Sequence, residues 1–160
     1  MPVGHFLGMV GALIWCPSLA KYLILKRSAE KDFGANTWEC GTGRVDQGED
    51  YFTALRREVR EELGVEIKVD FILGTTHFYR GVKVPENEML GVLYRCTLED
   101  HDAIQLSWEH SEARWVTYSE ASTLLSEGNW LLALIHKAEK IQGFYSPELI
   151  NLNRNEGFEL

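Results

Sequence analysis

The chain has 160 residues, of which 45% are hydrophobic and 25% are charged. This length and composition fit one globular domain and exclude wholly disordered, collagen-like and disulfide-framework chains. The net charge of −8 argues against a protein that coats nucleic-acid polymers, because such proteins need a basic surface to neutralise phosphates. A small phosphorylated ligand that is held through a metal ion is compatible with this charge.

Two apolar runs at the start of the chain predict buried strands, and a polar loop and a glycine-rich irregular segment follow them. In chain order these segments are Met9–Trp15, Lys21–Lys26, Ala29–Asn36 and Trp38–Val45. The clearest helix comes next, over Asp50–Leu63, since acidic residues open it and Gly64 stands where helices commonly end.

The second half of the chain predicts three more strands and two helices. The strands are Val65–Gly74, Met89–Leu98 and Ala113–Thr117, with a polar loop over Glu99–Glu112 before the last of them. Ser119 is expected to cap a short helix, and Trp130–Ile141 has the apolar face of an amphipathic helix. Strands on both sides of a central helix imply an α+β fold, with a central mixed sheet covered by helices.

The cysteines and the N-terminal apolar run bear on the location of the protein. Cys16, Cys40 and Cys96 are scattered and lack the spacing of zinc or redox motifs, so we expect reduced thiols and a cytoplasmic location. The apolar run near the N-terminus imitates a signal sequence, but glycines interrupt it and no Lys or Arg precedes it. No apolar run reaches the roughly 18 residues of a transmembrane span, so we expect no membrane partner.

Three glutamates on the predicted central helix carry most of the chemical information. Glu58, Glu61 and Glu62 are spaced so that their carboxylates lie on one face of a helix. Like charges this close raise one another's pKa values, and a hard divalent cation such as Mg²⁺ or Mn²⁺ relieves the repulsion. Phosphate chemistry is the natural use, because Mg²⁺ is commonly shared with substrate phosphates. The alternative is a solvated helix face with arginine partners, which is the commoner meaning of a charge run.

The segment around these glutamates fits the pattern Gly-x5-Glu-x7-Arg-Glu-U-x-Glu-Glu-x-Gly-U, in which U is aliphatic. A chance match in this chain has a probability on the order of 10⁻⁷ from average residue frequencies. The matching residues are Gly43, Glu49, Arg57, Glu58, Val59, Glu61, Glu62, Gly64 and Val65. The segment resembles the Nudix box, and the chain is similar to Nudix hydrolases over most of its length. We therefore expect one Nudix-like domain over residues 1–142 and a C-terminal tail of unknown role over residues 143–160.

The resemblance implies an αβα sandwich that hydrolyses a nucleoside diphosphate linked to another group, with Mg²⁺ or Mn²⁺ as cofactor. It implies that Glu58, Glu61 and Glu62 bind the metal and that a carboxylate takes a proton from the attacking water. Glu62 and Glu109 are the two candidates for this base, with Glu112 as a competitor of Glu109, and Glu61 is also a candidate catalytic residue.

The resemblance also assigns supporting roles within and before the box. Glu49 and Arg57 are expected to brace the loop against the helix, and Gly43 and Gly64 to supply backbone turns. Arg27 and Gly43 are expected to contact substrate, although a solvated charge at a strand end is a fair alternative for Arg27. Aromatic side chains that could stack on a base are interpreted first as core residues, and two histidines as structural or solvated. These residues are Trp38, Phe78, Tyr79, His77 and His110.

The substrate is less defined than the chemistry. A Thr-Gly turn after a Trp resembles a subset of the family that acts on nucleoside triphosphates or dihydroneopterin triphosphate, and this is the leading prediction. The alternatives are a nucleotide-sugar or ADP-ribose hydrolase, a dinucleoside polyphosphate hydrolase, or a non-catalytic nucleotide-binding sensor. The expected partner is a small nucleotide-like molecule. The resemblance also allows a homodimer, since members of the family are commonly dimers.

Overall fold

The computed structural model describes residues 4–160, and the strands in that range form one seven-stranded mixed sheet. The sheet has the order β3-β2-β1-β6-β5, with β4 paired to β1 and β7 paired to β2. Strands β1 and β6 are parallel, and the other pairs are antiparallel. The strands are β1 Leu7–Cys16, β2 Lys21–Arg27, β3 Trp38–Glu39, β4 Gly41–Arg44, β5 Lys68–Tyr79, β6 Glu88–Thr97 and β7 His110–Val116.

Helices cover both faces of this sheet, as the α+β prediction requires. They are α1 Tyr51–Leu63, α2 Tyr118–Leu124, α3 Trp130–Ile141 and α4 Pro147–Glu156, with short 3₁₀ turns at Pro85–Asn87, His101–Ala103 and Gln142–Phe144. Successive side chains of β1 point to opposite faces, so Val10 packs in the cluster beneath α1 and Met9 in the cluster beneath α3. The predicted sandwich of helices around a mixed sheet is confirmed.

Local signals place α1 where the sequence predicts it. The Asp50 carboxylate accepts a hydrogen bond from the Thr53 backbone N–H at 2.6 Å, so Asp50 is the N-cap rather than the first helical residue. Gly64 ends the helix with φ 68°, a left-handed conformation that favours glycine. Leu55, Val59 and Leu63 are buried and form the stripe that packs on the sheet.

Several predicted boundaries were wrong because strand pairing is decided by partners distant in sequence. The glycine-rich segment forms β3 and β4, since its backbone pairs with β2 and β1. Strand β5 begins at Lys68 and continues to Tyr79, which pairs with Glu88, and β7 begins inside the predicted polar loop. The cap of α2 is Thr117 rather than Ser119, because the Thr117 side chain and Glu120 form a reciprocal capping box.

The C-terminal tail contains α4, which packs against β5 at the edge of the sheet. Before this helix, Tyr145 stacks on Phe71 with ring centroids 4.1 Å apart, and after it Phe158 lies 5.4 Å from Tyr94. The tail thereby contacts side chains from both core clusters around the edge strand. Within residues 4–160, every helix is too short or too polar to cross a lipid bilayer.

Candidate active site

The box glutamates lie at a cleft of about 850 Å³ between the sheet, the 28–37 loop and α1. Glu58 and Glu61 line the cleft, and Glu62 lies beneath its surface, only 3% exposed. Glu109, which directly precedes β7, lines the same cleft. The fold therefore brings the four sequence-predicted carboxylates to one region, with Glu62 deepest and Glu61 at the rim.

Arg57 joins the loop after β4 to the acidic face of α1. Its guanidinium donates two parallel hydrogen bonds to Glu49, at 2.8 and 2.9 Å, and a third to the Arg44 carbonyl at 2.9 Å. The remaining nitrogen donates to Glu58 at 2.9 Å and to Glu61 at 3.3 Å. One side chain thus fixes the loop and orients two of the candidate metal ligands.

The Glu49–Arg57 contact predicts a specific acid dependence of stability. Hydrogen bonds from Arg57 and from the Asp46 backbone N–H lower the pKa of Glu49 from 4.5 to about 2. A lowered pKa in the folded state adds stability that is present above pH 4.5 and is lost as the pH falls through about 2. In Glu49→Gln, we expect the melting temperature to fall at neutral pH and to converge with that of the unmodified protein near pH 2. Melting curves between pH 2 and 7 measure this, and parallel curves would contradict it.

Gly43 provides space for Glu58 rather than a turn. Its φ lies outside the positive region that Gly64 occupies, so the expected backbone role is wrong for this glycine. A Cβ at this position would lie 1.9 Å from Glu58 Cδ, which no real contact tolerates. Any side chain at position 43 must therefore displace the Glu58 carboxylate from its present position.

We expect Gly43→Ala to weaken metal binding while leaving the fold stable. The clash is with a flexible side chain, so Glu58 can move without unfolding α1, but its oxygens then leave the acidic cluster. Titration of Mn²⁺ by calorimetry, together with a melting curve, separates these effects. Gly143→Ala is the matched control, because nothing lies within 4 Å of an added Cβ there. Equal Mn²⁺ affinity in the two variants would contradict the role given to Gly43.

Glu62 is a buried carboxylate whose charge is poorly compensated. Burial raises its pKa well above the usual value, and the charges of Glu39, Glu58 and Glu109 raise it further. Among the described residues, its Oε2 atom is fully buried and has no hydrogen-bond partner. Such an oxygen demands either a proton or a cation.

The donor set fits a hard divalent cation chemically, because all the candidate ligands are carboxylate oxygens. In residues 4–160, no three of the His, Cys, Asp and Glu side chains are grouped closely enough to hold one ion. The contacts explain this arrangement, since Arg57 draws Glu58 and Glu61 towards itself and Lys31 pairs with Glu109. Rotation of these side chains would be needed for them to share an ion.

Behind the acidic face lies a buried cluster centred on Glu39, which sequence reasoning missed. The Glu39 carboxylate accepts hydrogen bonds from Arg27, His110 and Thr42, each at 2.9 Å. The partners come from β2, β7 and β4, so the cluster ties together three strands at the cleft. Glu39 belongs to no local motif. The only indication of its burial in the sequence is its position between two apolar residues. His110 is buried, as a structural histidine would be.

Arg27 lines the cleft but is engaged on two sides. Besides its ion pair with Glu39, its Nε donates to the Phe33 carbonyl at 3.0 Å. The side chain is 14% exposed, so the solvated strand-end alternative is wrong. Contact with substrate stays a prediction, and the contacts present hold the 28–37 loop against β2.

Part of the cleft lining is apolar and aromatic. Trp38 and Phe78 belong to it and are only partly buried, so they are available to a ligand as well as to the core. Phe33 of the 28–37 loop and Trp130 at the start of α3 add two further aromatic side chains to the lining. Tyr79, the third aromatic residue named from the sequence, is not part of the lining.

The sequence model of the NUDIX domain matches residues 9–137, which is more than half of the chain. The chain belongs to the NUDIX domain family. Membership makes it a hydrolase that acts on phosphoric anhydrides, and the α+β fold agrees with this assignment. The family as a whole uses divalent metal ions, which suits the oxygen-only donor set of the cleft.

Known proteins of this family resemble the chain at low identity. Nudix hydrolase 7 of Arabidopsis thaliana is 25% identical over 118 residues, covering 72% of this chain, which spans 40% of that relative's length. The nucleoside triphosphatase NudI of Enterobacter sp. (strain 638) is 25% identical over 121 residues, covering 69% of this chain and 85% of the relative. The MutT protein structure from Methanosarcina mazei Go1 is 21% identical with a TM-score of 0.72, covering 89% of this chain and 99% of that one.

Proposed function

We propose that this Nudix hydrolase is a metal-dependent pyrophosphohydrolase of a nucleoside triphosphate or of dihydroneopterin triphosphate. The observation that carries the proposal is the buried, poorly compensated Glu62 carboxylate beside Glu58 and Glu109, at a cleft that is lined by carboxylates and by aromatic side chains. The carboxylates suit a metal-bound polyphosphate, and the aromatic side chains suit a planar base.

Glu58, Glu61 and Glu62 would hold Mg²⁺ or Mn²⁺, with Glu109 as a further acid of the site. A bound divalent cation neutralises pyrophosphate oxygens and lowers the pKa of water. Arg57 keeps Glu58 and Glu61 on the cleft side of α1, and their carboxylates would rotate away from the guanidinium to share an ion. Gly43 leaves the space that the Glu58 side chain occupies.

A carboxylate of this set would accept the proton of the attacking water, and the two candidates differ in their surroundings. Glu62 is buried and its pKa is raised, which favours it as an acceptor of a proton. Glu109 is more exposed and its carboxylate is held by Lys31. Both remain in the proposal, because each lies among the carboxylates at the cleft.

The substrate part of the proposal is supported by the cleft and by a relative. The relative from Enterobacter sp. is a nucleoside triphosphatase, and this chain spans 85% of its length. Trp38 and Phe78 line the same cleft as Glu58, Glu61 and Glu109, so one cleft offers contacts for a base and for a phosphate chain. We also propose a cytoplasmic location, because the three cysteines are buried free thiols.

A substrate screen tests this proposal directly. Nucleoside triphosphates, their oxidised forms, dihydroneopterin triphosphate, ADP-ribose and dinucleoside polyphosphates are incubated with the protein and either Mg²⁺ or Mn²⁺, and phosphate products are measured. Release of pyrophosphate from a triphosphate is the expected result. Turnover of ADP-ribose or a dinucleoside polyphosphate alone would overturn the substrate class.

If no substrate is hydrolysed, melting temperatures measured with and without Mg²⁺ or Mn²⁺ show whether the protein still binds metal. A ligand that binds only the folded state raises the melting temperature by mass action. Stabilisation by metal and nucleotide without any hydrolysis would favour the nucleotide-binding sensor. A melting temperature that neither metal changes would leave the acidic face of α1 as a structural feature and overturn the proposed function.

A further inference from the structure

The loop between β2 and β3, residues 28–37, contributes Lys31, Phe33, Gly34 and Thr37 to the lining of the cleft. Its two ends are joined by hydrogen bonds from the Arg27 N–H to the Thr37 carbonyl at 2.9 Å and from the Asn36 N–H to the Arg27 carbonyl at 3.1 Å. The Ser28 N–H also donates to the Glu109 carbonyl at 2.8 Å. The loop is therefore fixed to the backbone of a candidate catalytic residue.

Lys31 projects from this loop into the acidic cluster. Its ammonium group is paired with the Glu109 carboxylate and lies 5.3 Å from the centre of the Trp108 ring. The lysine side chain is only 15% exposed. Burial and neighbouring carboxylates raise the pKa of Glu62, and the Lys31 charge acts in the opposite direction, so Lys31 is close enough to affect both acids.

Stability alone gives little reason for a lysine in this position. The Glu109 side chain is 30% exposed and could be solvated by water without a partner. A lysine that is mostly withdrawn from solvent also loses hydration, which a single ion pair only partly offsets. The feature that the position does provide is a positive charge beside a carboxylate in the lining of the cleft.

We propose that Lys31 is a phosphate-binding residue of this site, which leaves Glu109 for a phosphate oxygen when a polyphosphate and its metal ion occupy the cleft. The inference rests on the proposed function, since it assumes a polyphosphate substrate. A divalent cation beside Glu109 would repel the ammonium group and compensate the carboxylate in its place. The flexible four-carbon stem and compact charge of lysine suit a phosphate group that approaches from the cleft.

The other cations in or beside the cleft are paired differently. Arg27 is held by Glu39 and the Phe33 carbonyl, and Arg57, beside the cleft, is held by Glu49 through two hydrogen bonds. Arg80 pairs with Asp32, and Arg44, which also lines the cleft, is exposed at its rim. Lys31 has one carboxylate partner, and that partner is itself a candidate ligand of the cation that accompanies the substrate. The partner that holds Lys31 is thus the one that substrate binding would engage.

The test compares Lys31→Met with Lys21→Met. Methionine keeps an apolar stem but removes the charge, and Lys21 is a matched control because it is also paired with a glutamate, Glu120, away from the cleft. Calorimetry measures binding of Mn²⁺ alone and of imidodiphosphate in the presence of Mn²⁺. Loss of a charged hydrogen bond to phosphate predicts about tenfold weaker imidodiphosphate binding in Lys31→Met. Mn²⁺ alone should bind as tightly as in the unmodified protein or more tightly.

Kinetics supply a second measurement on whichever triphosphate the protein hydrolyses. Lys31→Met should raise KM about tenfold while kcat changes much less, and Lys31→Arg should recover part of the loss because it restores a charged donor. Unchanged imidodiphosphate affinity in an active Lys31→Met variant would overturn the Lys31 proposal and leave the proposed function standing. Weaker Mn²⁺ binding and a lower melting temperature in Lys31→Met would show a structural role and also overturn it. Absence of both imidodiphosphate binding and hydrolysis in the unmodified protein would overturn the proposed function itself.

Discussion

Replacing Glu62 by glutamine should lower turnover by at least about a hundredfold. This is the lower limit of the rate enhancement that general acid–base catalysis commonly provides. The amide keeps the shape of the side chain but removes the negative charge that would bind metal or accept a proton. The same change at Glu61 is expected to abolish turnover through loss of a metal ligand. Retained activity in both variants would contradict the proposed roles of these glutamates.

The stability of Glu62→Gln distinguishes loss of chemistry from loss of fold. Glu62 is buried and its pKa is raised, so at neutral pH the folded state bears the unfavourable burial of a charge or the uptake of a proton. Glutamine removes that contribution, and the variant should melt at the same temperature as the unmodified protein or higher. Mn²⁺ should then raise the melting temperature less in the variant than in the unmodified protein.

Glu66→Gln is the matched control for these measurements. Glu66 follows α1 closely, but its carboxylate pairs with Arg56 and Arg60 on the exposed surface, away from the cleft. Its substitution should leave turnover and Mn²⁺ stabilisation unchanged. A large loss of activity in Glu66→Gln would show that any loss of charge near α1 impairs the enzyme, and the Glu62 result would lose its meaning.

Local signals in the sequence predicted the part of the site that is built from one helix. Asp50 and Gly64 act through their immediate backbone neighbours, so the start and end of α1 could be read from the sequence. The relative placement of Glu58, Glu61 and Glu62 follows from helical geometry alone. Glu49 and Arg57 are also in contact, as the box pattern predicts for two of its residues that lie eight positions apart.

The remainder of the site depends on contacts between distant segments, which no local pattern encodes. Glu39 is central because strands β2, β4 and β7 meet around it, and its partners lie up to 71 residues away. Lys31 belongs to a loop that was predicted only as polar, and its partner Glu109 is 78 residues distant. Gly43 illustrates a third case, since the box pattern required glycine but the reason, room for Glu58, appears only when β4 packs on α1.

The position of the C-terminal tail also depends on contacts between distant segments, which the sequence alone does not reveal. Its sequence has no strong apolar pattern, yet α4 docks on the edge strand through a buried ion pair. Asp70 on β5 is fully buried and accepts hydrogen bonds from Arg95, from Thr97 at 2.7 Å and from Arg154 of α4 at 2.7 Å. The Asp70 carbonyl also accepts from Asn153 at 2.8 Å. One residue of the sheet therefore holds the tail through both its side chain and its backbone.

We expect Asp70→Ala to lower the free energy of unfolding by about 3–5 kcal/mol, the range for removing one partner of a buried ion pair. The loss is large because Arg95 is itself buried and would keep its charge without a carboxylate beside it. Arg154→Ala should be milder, since Asp70 retains Arg95 and the Arg154 side chain is already 26% exposed. Urea denaturation of both variants measures the order of these effects.

Glu66→Ala provides the contrast that ties this prediction to burial. Glu66, like Asp70, is paired with two arginines, but its side chain is 52% exposed, and exposed pairs contribute only about 0–1 kcal/mol. A loss in Asp70→Ala no greater than in Glu66→Ala would contradict the role of the buried pair. If Arg154→Ala undocks α4, amide hydrogen exchange should increase along β5 and at the start of α1, where the Tyr51 N–H donates to Glu159 at 3.2 Å. The later turns of α1 are held to the sheet by Val59 and Leu63, so the acidic residues on those turns should stay protected.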